Sequence, residues 1–179
     1  MKKEALGEFN FLNEKGSKKA DKLHQTLIKK GVDFVTGVPC GVLKHIISNA
    51  SSDNRILHIP VNRESEAIGV AAGAYFSGKC PMVYMQNSGL FSASNDIASL
   101  LIPYRIPILF IISYRGCEGE DAIQHFATGR ATEKLIDSFG LRFQILENQE
   151  IDALVEWIFE EMQEYSLPVM LLLKRGWDK

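Results

Sequence analysis

At 179 residues the chain has room for one domain of ordinary size, which can fold around a core of its own without a disulfide or a structural metal. A formal net charge of −2 gives no electrostatic reason to expect nucleic acid or an anionic membrane surface as a partner. The three cysteines form no C-x-x-C pair, the longest apolar run is too short to cross a bilayer, and the N-terminus lacks the apolar core of a signal peptide, so we expect a cytoplasmic protein.

The first half of the chain alternates between helical periodicity and short apolar runs. Residues 1–16 show no periodicity and are expected to form a loose arm, with one domain over 17–179. Capping and breaking residues then predict a helix from Ser17 to Gly31, a strand at 33–38, a helix at 41–50, a polar loop at 51–54, a strand at 56–61 and a helix at 63–76 that Gly78 closes.

The second half continues the same alternation. It predicts a strand at 82–86, a helix within 88–101, a strand at 107–114, a charged loop at 115–128, a helix at 132–139, a strand at 142–146, a helix at 151–165 and a strand at 168–173. Continuous apolar strands separated by helices indicate a parallel sheet covered on both faces. We therefore predict an α/β domain, a three-layer open sheet of about six parallel strands with helices on both faces.

Ligands of such sheets collect beyond the carboxyl ends of the strands. Polar residues and glycines follow the strands there, in GVPCG (37–41), VNRES (61–65), QNSGL (86–90) and SYRGC (113–117). We expect the functional site at these four segments.

The helix after the second strand is unusual because it is built almost entirely from small residues. Asn62 is a candidate N-cap, and carboxylates in the first turn, Glu64 and Glu66, suit the positive end of the helix dipole. The dipole alone does not explain Gly69 and Gly73, since a glycine inside a helix costs about 1 kcal/mol relative to alanine. Close approach of another backbone or of a ligand explains them, which indicates a site at an interface.

Several common kinds of site are absent from the sequence. There is no G-x-x-x-x-G-K-[ST], no G-x-G-x-x-G and no H-E-x-x-H, and the histidines and cysteines lack zinc-ligand spacing, so no metal ligands are predicted in this chain. Ser88 lies between a strand and a helix, as a serine nucleophile does. Its surroundings do not match the G-x-S-x-G of that class, which argues against a serine hydrolase.

Taken together, four segments resemble the pyrimidine-binding domain of thiamine diphosphate-dependent 2-oxoacid decarboxylases, in particular the sulfopyruvate and phosphonopyruvate decarboxylase family. The segments are GVPCGVLKHII, HIPVNRESEAIGVAAGAYFSGK, MVYMQNSGLFSASNDIASL and IPILFIISYRG. The resemblance runs from about Ser17 to the C-terminus. It implies thiamine diphosphate as the cofactor and a small anionic 2-oxoacid as the substrate.

The resemblance assigns the cofactor contacts to the strand ends. It makes Glu64 the glutamate that pairs with N1′ of the aminopyrimidine and thereby sets the tautomer that the cofactor needs for electron-sink chemistry. Glu66 points to another side of the helix and is expected to be solvated or paired. The other cofactor-binding residues implied are Pro39, Asn87, Ser88, Gly89 and Leu90. Ser88 is equally explained as the N-cap of the following helix.

The resemblance also suggests residues that meet the substrate. Asn95 lies along the helix from Ser88, and Arg115 and Arg130 carry the guanidinium groups that suit a sulfonate or phosphonate. His125 matches a Gln-His pair of phosphonopyruvate decarboxylases and is a candidate proton donor. Each has a plainer explanation: Arg130 as a surface arginine, His125 as a solvated loop residue, and the acidic residues 118, 120 and 121 as a charged loop surface.

One feature of the family is missing. Thiamine diphosphate enzymes hold the diphosphate through Mg²⁺ bound by a Gly-Asp-Gly segment, and no Gly-Asp-Gly occurs in this sequence. The resemblance therefore implies half of an active site, completed by a β subunit that carries Mg²⁺ and the diphosphate, in a hetero-oligomer with α–α contacts at the small-residue helix. The expected reaction is decarboxylation of 3-sulfopyruvate, with phosphonopyruvate as the alternative substrate and a non-catalytic subunit of the same fold as the alternative function.

Overall fold

The computed structural model describes residues 17–117, 120 and 122–179. The predicted arm at 1–16 lies outside this part of the chain. The described helices are α1 (Lys18–Lys29), α2 (Lys44–Ser52), α3 (Glu64–Phe76), α4 (Asn87–Ser92), α5 (Ser94–Asp96), α6 (Phe126–Ser138) and α7 (Ile151–Tyr165). The strands are β1 (Phe34–Gly37), β2 (Leu57–Pro60), β3 (Pro81–Gln86), β4 (Leu109–Tyr114), β5 (Arg142–Ile145) and β6 (Val169–Lys174).

The described strands form one parallel sheet in the order β2-β1-β3-β4-β6-β5, which confirms the predicted fold class. The order in which the chain adds strands to the sheet changes direction between β1 and β3. Strand β1 is followed by its outer neighbour β2, whereas β3 is followed by β4 on the other side. In open α/β sheets this reversal opens a crevice at the carboxyl ends of the two strands, and ligands bind there.

Two apolar layers cover the faces of the sheet. Successive residues of a strand point to opposite faces, so Tyr84 and Ile111 pack with α1, α2 and α7, while Met85 and Ile112 pack with α3, α4 and α6. Both layers are closely filled, since the side chains of β3 and β4 are almost completely buried. The core therefore fixes the strands rigidly and leaves their carboxyl ends to carry function.

Helix ends agree with the sequence at α1 and differ at α3 and α6. Ser17 caps α1 as predicted, its hydroxyl accepting a hydrogen bond from the backbone N–H of Ala20. The predicted N-cap at Asn62 is wrong, because Arg63 occupies that position without a side-chain cap. The predicted start of α6 at Thr132 is also wrong, because the helix begins at Phe126.

The polar segment at 51–54 is only partly a loop, since Ser51 and Ser52 complete the last turn of α2. No helix in the described residues is long and apolar enough to span a membrane.

Candidate active site

The polar side chains predicted to carry function lie at the carboxyl edge of the sheet, around the ends of β1, β3 and β4. Pro39 and Cys40 follow β1, Gln86 ends β3, and Arg115 follows β4. Glu64 begins α3, which follows the outer strand β2. The reversal between β1 and β3 thus lies in the middle of this group of residues.

Glu64 lies directly against Gly89, the residue at the third position of α4. A Cβ atom at position 89 would lie 2.3 Å from Oε1 of Glu64 and 2.4 Å from its Cγ, so any side chain there would displace Glu64. The close approach to this glycine is therefore made by the Glu64 side chain.

The carboxylate of Glu64 is half-buried and, within the described residues, forms no hydrogen bond or ion pair with protein. A half-buried carboxylate with no protein partner can bond to water or to a ligand group with which it shares a proton. N1′ of an aminopyrimidine is such a group, so the residues present fit the pyrimidine half of thiamine diphosphate.

Glu66 has a different environment, in agreement with its predicted separation from Glu64. Its Oε2 accepts a hydrogen bond of 3.2 Å from the backbone N–H of Asn62. The carboxylate therefore stabilises the entry into α3 by reaching back to a free backbone donor, as the glutamate of a capping box does. Asn62 contributes only its backbone N–H to this contact.

Asn87 is completely buried and joins three parts of the structure. Its Nδ2 donates to the carbonyl oxygen of Arg115 and to Oγ1 of Thr132, both at 2.9 Å, and its Oδ1 accepts from the Arg115 backbone N–H at 3.2 Å. Both amide hydrogens are therefore used within the protein. The side chain locks the end of β3 to the end of β4 and to α6, and only its backbone remains for a ligand.

Ser88 and Leu90 have unequal positions in α4. The alternative interpretation of Ser88 as an N-cap is wrong, because the helix begins one residue earlier and Gln86 occupies the cap position. The Ser88 hydroxyl instead accepts a hydrogen bond of 2.8 Å from Nε2 of Gln86. Leu90 is fully buried in the apolar layer between α3 and the sheet.

Sequence reasoning missed a polar cluster centred on Gln86. The side-chain Nε2 of Gln86 lies 3.4 Å from Nδ1 of His125, and its Oε1 lies 3.8 Å from the sulfur of Cys40. That sulfur is 3.2 Å from the hydroxyl of Ser113. These residues come from the ends of β1, β3 and β4 and from the turn before α6. A polar residue at or next to the last position of an apolar strand, as at Gln86 and Ser113, is the sequence signal that points to them.

A tight backbone contact holds His125 in place. Gly116 has a φ of +77°, and a Cβ atom there would lie 1.9 Å from the carbonyl oxygen of His125. Gly129 in α6 meets Gly116 just as closely, since a Cβ atom at position 129 would lie 2.3 Å from the Gly116 carbonyl oxygen. The Thr128 hydroxyl donates to the same His125 carbonyl oxygen at 3.1 Å. The loop after β4 is thereby fixed to the first turn of α6.

The two arginines singled out for the substrate differ in environment. Arg115 forms an ion pair with Glu120, with distances of 2.5 Å from Nε to Oε2 and 3.0 Å from Nη2 to Oε1. The Glu120 side chain is only 3% exposed, and the Arg115 guanidinium holds the pKa of that carboxyl well below its ordinary range. Glu120 is thus a buried partner of Arg115, whereas residues 118 and 121 lie outside the described residues. Arg130 is exposed on α6.

Arg115 also lines an open cavity of about 1140 Å³ at the ends of β4 and β6. Further basic residues around it are Lys44, His45, Lys174, Arg175 and Lys179, and the acidic ones are Glu120 and Asp178. The described residues that line this cavity therefore carry charges of both signs. Asn95 and Pro39 are both exposed, Asn95 on α5 and Pro39 beside Cys40 after β1.

Within the described residues no cluster of three or more histidine, cysteine or acidic side chains is arranged to hold a metal ion. Of the cofactor's parts, the carboxylate of Glu64 suits the pyrimidine.

Comparison with known proteins identifies the family to which this chain is similar. Residues 18–136 match the family model described as thiamine pyrophosphate enzyme, N-terminal TPP binding domain. The sulfopyruvate decarboxylase subunit alpha of Methanocaldococcus jannaschii is 37% identical over 151 residues, which cover 84% of this chain and 89% of that one. The name of that relative implies a second subunit.

The phosphonopyruvate decarboxylase of Streptomyces viridochromogenes is 36% identical over 149 residues. The match covers 82% of this chain and only 38% of that enzyme. Among solved structures, 2-oxoglutarate:ferredoxin oxidoreductase from Magnetococcus marinus superposes with a TM-score of 0.61 at 16% identity, over 89% of this chain and 29% of that chain. At that identity the likeness shows the fold alone.

Proposed function

The chain belongs to the thiamine pyrophosphate enzyme family as an N-terminal TPP binding domain, and from this we propose that it is the α, pyrimidine-side subunit of a thiamine diphosphate-dependent 2-oxoacid decarboxylase. The proposed reaction converts 3-sulfopyruvate to sulfoacetaldehyde and carbon dioxide, in line with the α-subunit relative that matches most of the chain.

The observation that carries the proposal is the half-buried carboxylate of Glu64, held against Gly89 and without a partner among the described residues. Glu64 would hold N1′ of the aminopyrimidine through a shared proton and so keep the ring in the tautomer that catalysis needs. Gly89 leaves room for the carboxylate, and the core around Leu90 keeps α3 and α4 in register. When bound, the cofactor supplies the electron sink for loss of carbon dioxide.

The substrate would lie between this carboxylate and the loop after β4. The His125 ring contacts Gln86, which bonds to Ser88, and the His125 backbone packs against Gly116 and accepts a hydrogen bond from Thr128. Arg115 lines the cavity at the ends of β4 and β6, and its planar guanidinium suits the sulfonate of the substrate. The ion pair with Glu120 orients the guanidinium.

A partner subunit is the second part of the proposal. The chain contains no Gly-Asp-Gly and, within the described residues, no cluster of metal ligands, so a β subunit would hold Mg²⁺ and the diphosphate. The chain spans most of the α-subunit relative and a little over a third of the phosphonopyruvate enzyme. Those coverages are expected if the sulfopyruvate enzyme carries on two chains the domains that the phosphonopyruvate enzyme carries on one.

Phosphonopyruvate is the second candidate substrate, because a phosphonopyruvate decarboxylase matches this chain at nearly the same identity. Sulfonate and phosphonate are both tetrahedral anions that a guanidinium recognises, and they differ in charge. A non-catalytic subunit of the same fold is the third possibility, and loss of the Glu64 carboxylate distinguishes it from a catalyst.

The test of the substrate is a direct assay. The chain is co-purified with a Gly-Asp-Gly-containing partner, supplied with thiamine diphosphate and Mg²⁺, and assayed for carbon dioxide release from each acid. We expect 3-sulfopyruvate to give the higher kcat/KM by at least about 10-fold, or about 1.4 kcal/mol of transition-state binding. A preference for phosphonopyruvate would reassign the substrate, and no release from either acid would refute the proposed reaction.

A further inference from the structure

The side-chain amide of Gln86 has two ends with different neighbours. On one end, Nε2 donates to the Ser88 hydroxyl at 2.8 Å and faces Nδ1 of His125 at 3.4 Å. On the other end, Oε1 faces the Cys40 thiol at 3.8 Å. A thiol is a weak donor, an amide oxygen is an acceptor and a hydroxyl can accept, so all three contacts can be made with the amide in this orientation.

That orientation determines where the proton of the His125 ring lies. An amide N–H that points at Nδ1 requires Nδ1 to be the acceptor, so the proton of the neutral ring is on Nε2. The backbone of His125 packs tightly against Gly116, and its carbonyl oxygen accepts a hydrogen bond from the Thr128 hydroxyl. The residue is therefore held at its backbone, and its ring is contacted at Nδ1.

The consequence concerns what His125 can do for a substrate. A neutral ring with its proton on Nε2 would have to become an anion in order to give that proton away, which is far too costly at neutral pH. The same ring can donate a hydrogen bond from Nε2 at no such cost. The geometry thus supports a neutral hydrogen-bond donor and argues against the proton donor that the sequence suggested.

We propose that Gln86 is a positioning residue that holds His125 as its Nε2–H tautomer, and that His125 uses this N–H to bind an oxygen of the 2-oxoacid without transferring a proton. The inference rests on the proposed function for the identity of the substrate, but its statement about the tautomer does not. No covalent step is involved, and the bond is strongest where negative charge develops on the substrate oxygen.

The tautomer is measured on the full chain by ¹⁵N NMR of its histidines at about pH 8, where an ordinary imidazole is neutral. The chain has four histidines, and the signals that are missing from the spectrum of His125→Gln are those of His125. We expect the wild-type ring to carry its proton on Nε2. A ring protonated on Nδ1 would overturn the inference whatever reaction the protein catalyses.

Substitution at position 86 gives the sharper result. Gln86→Glu replaces the donor by a group that only accepts, so Nδ1 must acquire a proton and its ¹⁵N shift must move to that of a protonated nitrogen. Gln124→Glu is the matched control, since Gln124 adjoins His125 in sequence and is exposed, and it should leave the Nδ1 signal in place. An unchanged Nδ1 signal in Gln86→Glu would also overturn the inference.

Activity in the complete complex tests the role of the N–H. His125→Gln keeps a side-chain donor but has no proton to transfer, and His125→Phe has neither. We expect His125→Phe to lose about 10²-fold in kcat and His125→Gln to lose clearly less. Equal losses would contradict hydrogen-bond donation. If neither 2-oxoacid is turned over while the NMR result holds, the substrate role falls with the proposed function and the tautomer stands.

Discussion

At the scale of single residues, position 89 links a glycine to the candidate catalytic carboxylate. The Glu64 carboxylate occupies the space where any Cβ at that position would lie. Gly89 and Glu64 therefore form one unit, in which the glycine sets the position of the carboxylate and the carboxylate would meet the cofactor. The same logic applies at Gly116, where the demand comes from the backbone of His125.

Gly89→Ala tests this unit. The added methyl group should displace Glu64 and lower turnover of the complex by about 10²-fold, because small misplacements of a catalytic group have effects of that size. The cost to stability should be at most about 1–3 kcal/mol, since the half-buried Glu64 side chain can turn away. Urea unfolding measures that cost.

A double-mutant cycle identifies the cause. In a Glu64→Ala background the obstructing atoms are gone, so Gly89→Ala should cost no stability there and should be neutral or stabilising in the helix. The same destabilisation in both backgrounds would mean that Gly89 is required for a contact other than Glu64.

The environment of His58 predicts part of the pH dependence of the free energy of unfolding. Its half-buried ring bonds to the Tyr84 hydroxyl at 3.0 Å and the Ser51 hydroxyl at 2.9 Å, and burial lowers the pKa of the ring below its ordinary value. The unfolded chain therefore binds the proton at higher pH than the folded chain. Stability should fall as the pH drops below about 6.5, by up to about 1.4 kcal/mol per pH unit.

The measurement is the free energy of unfolding of wild type and His58→Gln at two values of pH. Because the other histidines are present in both proteins, the difference between them isolates His58. We expect the wild type to lose more stability on acidification than the variant. Equal losses would show that His58 is protonated alike in the folded and the unfolded chain.

At the scale of elements, α3 has a bare outer surface. Gly69 and Gly73 are exposed, and a Cβ atom added at either would meet nothing within 4 Å. Phe76, on the same side of the helix, is 66% exposed. Within the described part of this chain nothing packs against the two glycines, so they have no structural use in the isolated subunit. A close contact with another subunit remains our explanation for them.

Gly69→Ala and Gly73→Ala separate folding from assembly. Each should stabilise the isolated chain by up to about 1 kcal/mol, because alanine is the better helix former and has free space. If another subunit packs closely on this face, the same substitutions should weaken assembly. Thermal unfolding and analytical ultracentrifugation measure the two effects, and assembly as tight as in wild type would exclude the glycines from an interface.

Helices and strands could be predicted from the sequence where burial requires apolar residues. Strands β3, β4 and β6 are largely apolar runs, and α7 has a clear amphipathic pattern, so these elements were found closely from the residues alone. The first turn of α6 was missed because its sequence, FATGRAT, contains weak helix formers, and because Gly129 serves a contact with Gly116, which lies outside the helix. Glu64 was found from its motif, whereas the pairing of Gln86 with His125 depends on three-dimensional packing.

At the scale of the whole molecule, the chain resembles one side of a shared active site. Under the proposed function Glu64 would meet the pyrimidine and Arg115 lines the cavity at the neighbouring strand ends, and the described residues hold no cluster of three or more metal-ligating side chains. We therefore predict that the isolated chain binds thiamine diphosphate weakly and without dependence on Mg²⁺, and that the complex with a Gly-Asp-Gly partner binds it tightly only when Mg²⁺ is present.

Isothermal titration of the cofactor into the chain, the partner and the complex, each with Mg²⁺ and with a chelator, measures this. Tight, Mg²⁺-dependent binding by the chain alone would contradict a divided site. Tight binding by the partner alone would place both halves of the site in that partner.

The most direct test of the account is Glu64→Gln in the assembled complex, compared with Glu66→Gln. Both substitutions remove one carboxylate from the first turn of α3, and only Glu64 lies against Gly89. We expect Glu64→Gln to lower decarboxylation by at least about 10²-fold while assembly survives, and Glu66→Gln to retain most of the activity. Equal activity of the two variants would show that Glu64 is not the catalytic carboxylate.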